Sequence, residues 1–134
     1  DAPRVPFRPD GCGLWEIPMT TVRIRGRNLP CSGGGFFRLL PYPLFRAGLR
    51  RVNAEGQRGI FYFHPWEVDP GQPRIAGAPW KSRLRHSINL RRMSGRLDRL
   101  LHDFAWNRMD AVFADLLAEP GADAASHRAT VSAA

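Results

Sequence analysis

The segment Gly59-Ile60-Phe61-Tyr62-Phe63-His64-Pro65-Trp66-Glu67-Val68-Asp69-Pro70 restricts the fold more than any other. Four consecutive large apolar residues bounded by Gly59 and Pro65 read as a strand buried on both faces, as in a parallel sheet. Pro65 has no N–H to give to a ladder and pushes its predecessor toward extended geometry, so the strand is predicted to end at His64. Open α/β sheets and β/α barrels assemble their active sites at the carboxyl ends of parallel strands. An imidazole at such a rim can change charge near neutral pH. A core histidine satisfied by a backbone carbonyl is the plainer alternative; Trp66, Glu67 and Asp69 in the same turn favour a functional place.

The chain has 134 residues, 43% hydrophobic and 24% charged, a globular balance with room for one real core. No apolar run approaches the length of a membrane span, so no transmembrane segment is expected. The first residues lack the order of a signal peptide, and the chain begins at Asp1, so it reads as a piece of something longer. The net charge of +8 comes from nineteen arginines, with Lys81 the single lysine. Such a balance suits a nucleic-acid or other polyanionic partner, because clustered cations release counterions on meeting it. The arginines are dispersed through every segment, however, which fits a host preference for Arg over Lys better than a binding block. Cys12 and Cys31 have neither zinc-knuckle nor C-x-x-C spacing; a bridge and two free thiols both remain open.

Taken in order, residues 1–13 read as a surface loop, since Pro3, Pro6, Pro9, Gly11 and Gly13 forbid a regular element. A strand is predicted from Leu14 to Pro18 and an extended piece at Thr21 to Arg25. Gly33-Gly34-Gly35 lacks the Lys-Ser or Lys-Thr of a phosphate loop and reads as a close-packed turn. A helix begins near Pro43, with Leu44, Phe45, Leu49 and Val52 as its apolar stripe, and ends at Gly56. Residues 70–80 form a long irregular connection in which Arg74 could hold a carboxylate or an anionic ligand group. Ser82 to Leu90 reads as a short helix or turn, and Ser94 caps a helix whose stripe is Leu97, Leu100, Leu101 and Phe104. Phe104-Ala105-Trp106 reads as a short strand, followed by a helix from Arg108 to about Ala118 that is capped by Asn107 with Asp110 as its early acid. Residues 119–134 lack a stripe and read as a disordered tail beyond a domain over residues 1–118. Strands alternating with helices in this way predict an α/β layer or barrel with right-handed crossovers. A full eight-fold barrel takes about 250 residues, so the expected fold class is a partial (β/α) barrel, about half of one.

Three segments carry a resemblance: Gly33-Gly34-Gly35-Phe36-Phe37-Arg38-Leu39-Leu40-Pro41-Tyr42, Phe61 through Arg74, and Ser82-Arg83-Leu84-Arg85-His86-Ser87-Ile88-Asn89-Leu90. Together, over roughly residues 1–118, they resemble the C-terminal portion of polysaccharide deacetylases of the NodB-homology class. The nearest subgroup lies in exosortase-linked exopolysaccharide loci of Gram-negative bacteria and carries an uncharacterised C-terminal region. The resemblance implies a β/α barrel and metal-assisted hydrolysis of the acetamide on N-acetylhexosamine units of a polysaccharide. It implies a divalent ion, usually zinc, held in the parent protein by an aspartate and two histidines, with a second aspartate as general base. Those residues belong to N-terminal motifs that this sequence does not contain, so the chain alone is expected to bind no metal and to be inactive without the missing half of the barrel. His64 matches the late motif, where the histidine is the general acid.

The expected site is therefore His64 as catalytic acid, with Trp66, Arg74 and Glu67 as substrate-binding candidates. Trp66 could stack on a sugar face or pack in the core, and Glu67 or Asp69 could orient the imidazole or lie at the surface. The expected compartment is the bacterial cytoplasm, with the periplasm as alternative. The competing function is a basic, non-catalytic module for nucleic acid or an anionic polysaccharide. The absence of any helix-turn-helix, zinc-finger or RNA-binding sheet signature argues against nucleic acid. A third reading makes the chain an interaction piece that completes another polypeptide.

Overall fold

The computed structural model describes residues 3–9, 13–73 and 77–118. Its elements are β1 (Thr21–Ile24), β2 (Arg27–Pro30), α1 (Gly34–Leu39), α2 (Tyr42–Ala54), a 3-10 turn (Pro65–Val68), α3 (Trp80–Ser87), α4 (Leu90–Asp103), α5 (Met109–Val112) and α6 (Ala114–Leu117). They fall into two units, Met19–Trp106 and Asp1–Pro18 with Asn107–Ala134. None of the described helices is long and apolar enough to cross a membrane. Cys12, Arg74 and the tail expected to be disordered lie outside the described residues.

The expected partial (β/α) barrel is replaced by a small mixed α/β fold. Among the described residues the sheet has two strands, β1 and β2, paired antiparallel from Thr21 opposite Pro30 to Ile24 opposite Arg27. Their connection, Arg25-Gly26, has both φ angles positive, 48° and 78°. That combination closes a two-residue hairpin with the natural twist of the strands.

The apolar run 60–63 is extended, but it makes one parallel bridge, Tyr62 with Gly33. Tyr62 and Phe63 are 43% and 39% exposed, while Phe61 packs against the core. An apolar run records what can be buried, whereas a ladder also needs a neighbouring chain that stays extended for several residues. Here the neighbour turns into α1 at Gly34, immediately after the bridge.

The core of the larger unit lies where α1, α2 and α4 meet β1. Pro43 opens α2, and Phe45, Leu49 and Val52, spaced by four and three, are buried. Leu44, expected in the same stripe, is 63% exposed. The stripe of α4 runs Leu90, Met93, Leu97, Leu100 and reaches one turn further back than Ser94. The helix starts after Asn89, which takes the left-handed values φ 53° and ψ 22°. Phe37 is wholly buried among the rings of Tyr42, Phe45 and Phe61. Cys31 is a buried free thiol whose hydrogen bond goes to the Phe45 carbonyl at 3.6 Å, and burial pushes its pKa up to about 11.

The triplet Gly33-Gly34-Gly35, expected as a close-packed turn, instead leads into α1, although glycine has poor helix propensity. That helix is held from outside. The Arg96 Nη1 donates to the carbonyls of Phe37, Arg38 and Leu40 at 2.8, 2.9 and 3.1 Å, and the Asn89 amide donates to the Arg38 carbonyl at 2.7 Å. The carbonyls that a helix end leaves without partners are thus satisfied by side chains of α4 and its cap. Burial, followed by the charge of Arg92, lowers the pKa of Arg96. The expected strand Phe104-Ala105-Trp106 is extended at Phe104 but belongs to no sheet; the Trp106 indole donates to the Leu100 carbonyl at 3.0 Å and closes the end of α4.

In the smaller unit Phe7 and Glu16 exchange backbone hydrogen bonds of 3.0 and 2.8 Å, and the Arg8 guanidinium lies 4.6 Å from the Trp15 ring centre. The helix expected from Arg108 to Ala118 is interrupted at Phe113, with φ −109° and ψ 22°, giving α5 and α6. The Asp110 carboxylate pairs with Arg108 at 2.6 Å.

One polar cluster predicts a pH effect. The Tyr42 hydroxyl donates to Asp103 at 2.5 Å, and Arg46 pairs with the same carboxylate at 2.9 Å. The hydrogen bond from Tyr42, aided by the charge of Arg46, holds the Asp103 carboxyl below its usual range. Burial and the bond to Asp103 push Tyr42 up to about 12. A depressed carboxyl stabilises the fold above its unfolded pKa, and that contribution disappears as pH falls through the folded value. The stability gap between the native chain and Asp103→Asn is therefore expected to be widest near neutral pH and to shrink in acid, as followed by thermal unfolding. A gap independent of pH would show that the carboxylate has no such role.

Candidate functional site

Alternation along residues 61–64 builds the site. Phe61 points inward, its ring 5.0 Å from Phe37, 6.0 Å from Phe45 and 6.2 Å from Trp106. Tyr62 and His64 share the other side, with ring centres 6.1 Å apart. The backbone here is fixed by Tyr62 N–H to the Ser32 carbonyl at 3.1 Å and by Gly34 N–H to the Tyr62 carbonyl at 2.9 Å. At Pro65 the chain enters the 3-10 turn. Glu67 N–H donates to the His64 carbonyl, and the His64 N–H donates to the Glu67 carboxylate, both at 2.9 Å.

The other oxygen of Glu67 faces a buried arginine. Arg38 donates through Nε and Nη2 to Glu67 Oε1 at 3.1 and 3.0 Å, and the two side chains are 1% and 3% exposed. Its Nη1 donates to the carbonyls of His86 and Ile88 at 3.1 and 2.9 Å. One guanidinium thus joins α1, the 3-10 turn and the connection from α3 to α4. A buried charge is tolerated only when its donors are satisfied in this way. The carboxylate also accounts for the middle glycine of the triplet, since a Cβ on Gly34 would come within 2.7 Å of Glu67 Cδ.

Trp66 stands on the guanidinium, with Arg38 Cζ 5.2 Å from its ring centre. The His64 ring lies nearly parallel to it, 6.0 Å away with 8° between planes, and the His86 ring approaches to 4.8 Å. Both imidazoles are exposed and the indole is half-buried. Trp66 also borders a cleft of about 1020 Å³, whose lining includes Trp80, Arg83, His86, Arg91 and Arg92.

Of the residues singled out from sequence, His64, Trp66 and Glu67 come together. His64 is exposed where the extended segment ends; Trp66 is packed against three neighbours; Glu67 is buried with its oxygens engaged by Arg38 and the His64 N–H. Asp69 is exposed and accepts from the Gly71 N–H at 2.8 Å. Sequence reasoning missed Arg38, Asn89 and Arg96 as the supports of this corner, and Trp80, Arg91 and Arg92 as cleft residues. Arg38 had a signal: a lone charge inside Phe36-Phe37-Arg38-Leu39-Leu40 has to be carried inward or break the apolar run.

Among the described residues no group of three or more His, Cys, Asp or Glu could hold a metal ion. The ion implied by the resemblance therefore does not fit the residues described.

No curated protein and no solved structure matches this chain. Residues 1–114 match the family described as Domain of unknown function (DUF3473), and the chain belongs to that family.

Proposed function

We propose that this chain is the histidine-bearing region of a metal-dependent polysaccharide N-deacetylase that acts on N-acetylhexosamine units in bacterial exopolysaccharide synthesis. The observation that supports it most is the exposed His64 imidazole at the end of the extended segment, lying along Trp66, with its backbone held by Glu67. Amide hydrolysis joins a water oxygen to the acetyl carbon and breaks the C–N bond, and the departing amine needs a proton. An imidazole is suited to deliver that proton near neutral pH. In this role Trp66 and Glu67 are positioning residues: the indole limits how the ring tilts, and the carboxylate fixes the backbone that carries it. The water's proton passes to a base supplied by the rest of the parent polypeptide, which also supplies the metal ligands.

Within the parent polypeptide, His64→Gln is expected to lower kcat on N-acetylglucosamine oligomers by about 100- to 10,000-fold, with metal content unchanged. The isolated chain supplied with zinc is expected to release no acetate. Undiminished turnover by the variant, or metal-dependent acetate release from the isolated chain, would overturn the reading.

A further inference from the structure

The cleft beside Trp66 has a chemistry of its own, independent of the proposed deacetylation. Its volume of about 1020 Å³ is at the upper end of small-molecule sites, which run to about 1,000 Å³. Arg83 on α3 and Arg91 and Arg92 on α4 line it, none of its lining residues is acidic, and none of the three arginines has an ion-pair partner among the described residues. Elsewhere Arg38, Arg46, Arg51 and Arg108 are each paired with a carboxylate. The two cleft arginines of α4 occupy its first turn, which contains no acid. Cations there are opposed by the helix dipole and by each other, so the arrangement costs stability that an anion in the cleft would restore.

The rest of the lining is suited to a sugar. Trp80 borders the cleft and is 69% exposed, with the Lys81 ammonium 5.8 Å from its ring centre, while Trp66 is packed against its neighbours. The apolar C–H face of a pyranose can cover such a ring. Gln72, Ser82 and Ser87 add small polar groups for hydroxyls, and Pro70 and Pro73 add apolar wall. The Ser87 hydroxyl donates to the Arg83 carbonyl at 2.8 Å, which leaves its oxygen free to accept. Nucleic acid is less well served. It is held by cations tracking a backbone across an extended surface, whereas these three arginines line a single cleft.

We infer that this cleft binds an acidic saccharide, with a carboxylate of the sugar held by Arg83, Arg91 and Arg92 and a ring face stacked on Trp80. Arginine is the residue suited to a planar, two-point grip on a carboxylate. The probe is a galacturonic acid oligomer titrated into the chain by calorimetry, beside a neutral N-acetylglucosamine oligomer of equal length and a short DNA duplex. Saturable binding of the uronate oligomer is expected, weakened at least tenfold by Trp80→Ala and by the double variant Arg91→Ala/Arg92→Ala, and weakened further by salt. These residues are exposed, so circular dichroism of the variants is expected to match the native chain, and each variant is scored only with its fold intact. Equal affinity for the neutral oligomer, DNA binding tighter than uronate binding, uronate affinity unchanged in both variants, or no uronate binding at millimolar concentration would each overturn the inference.

Discussion

Glu67→Ala is expected to cost about 3–5 kcal/mol of unfolding free energy, because it leaves the Arg38 charge buried without a counter-ion. Small domains hold about 5–15 kcal/mol in total, so the variant sits close to unfolding at ordinary temperature. Urea denaturation reads the loss directly. Glu67→Gln keeps an oxygen for one guanidinium N–H and recovers only part of it. Replacing both partners by apolar residues is not a clean rescue here, since the carbonyls of His86 and Ile88 then lose their donor. A loss below about 1 kcal/mol, the scale of a surface ion pair, would contradict the burial of this contact.

Phe37→Ala is expected to cost a similar amount, about 3–5 kcal/mol, through lost burial and the cavity left behind. The ring is wholly buried and meets Tyr42, Phe45 and Phe61 edge-on at 6.1, 4.8 and 5.0 Å, contacts that add about 0.5–1.5 kcal/mol per pair beyond area. Its neighbour Phe36 is 44% exposed, and Phe36→Ala is expected to change stability by about 0.5 kcal/mol at most. Comparing the two midpoints in urea tests the orientation of α1. Equal effects would mean that α1 presents a different face to the core.

The helices were the most legible part of the chain. Pro43, the spacing of Phe45, Leu49 and Val52, and Gly56 mark α2 to within about two residues, because local chemistry alone starts and stops it. The sheet was not legible. Ile60 to Phe63 have the composition of a central strand, but strand pairing depends on a partner far along the chain, and that partner leaves after one bridge. The helix α1 was hidden for the same reason, since Asn89 and Arg96, more than fifty residues away, satisfy its last carbonyls. At the site, His64 is exposed where the apolar run ends, but that end is not the rim of a parallel sheet that the run's composition suggests. The charge of Glu67 suggests a group that binds substrate, orients the imidazole or lies at the surface, and what turns it inward is the buried guanidinium, whose partners only the folded chain brings near.

The Arg38 guanidinium also orders events during synthesis. Its acceptors lie 29, 48 and 50 residues downstream, and Arg96, which grips the Arg38 carbonyl, lies 58 residues downstream. A nascent chain lengthens at about 5–20 residues per second, so for several seconds this cation has no native counterpart to receive it. Glu67 emerges first and can supply the ion pair, but until Asn89 and the second turn of α4 have left the ribosome α1 lacks its terminal bonds, and the corner that carries His64 closes only when the last of these partners arrives.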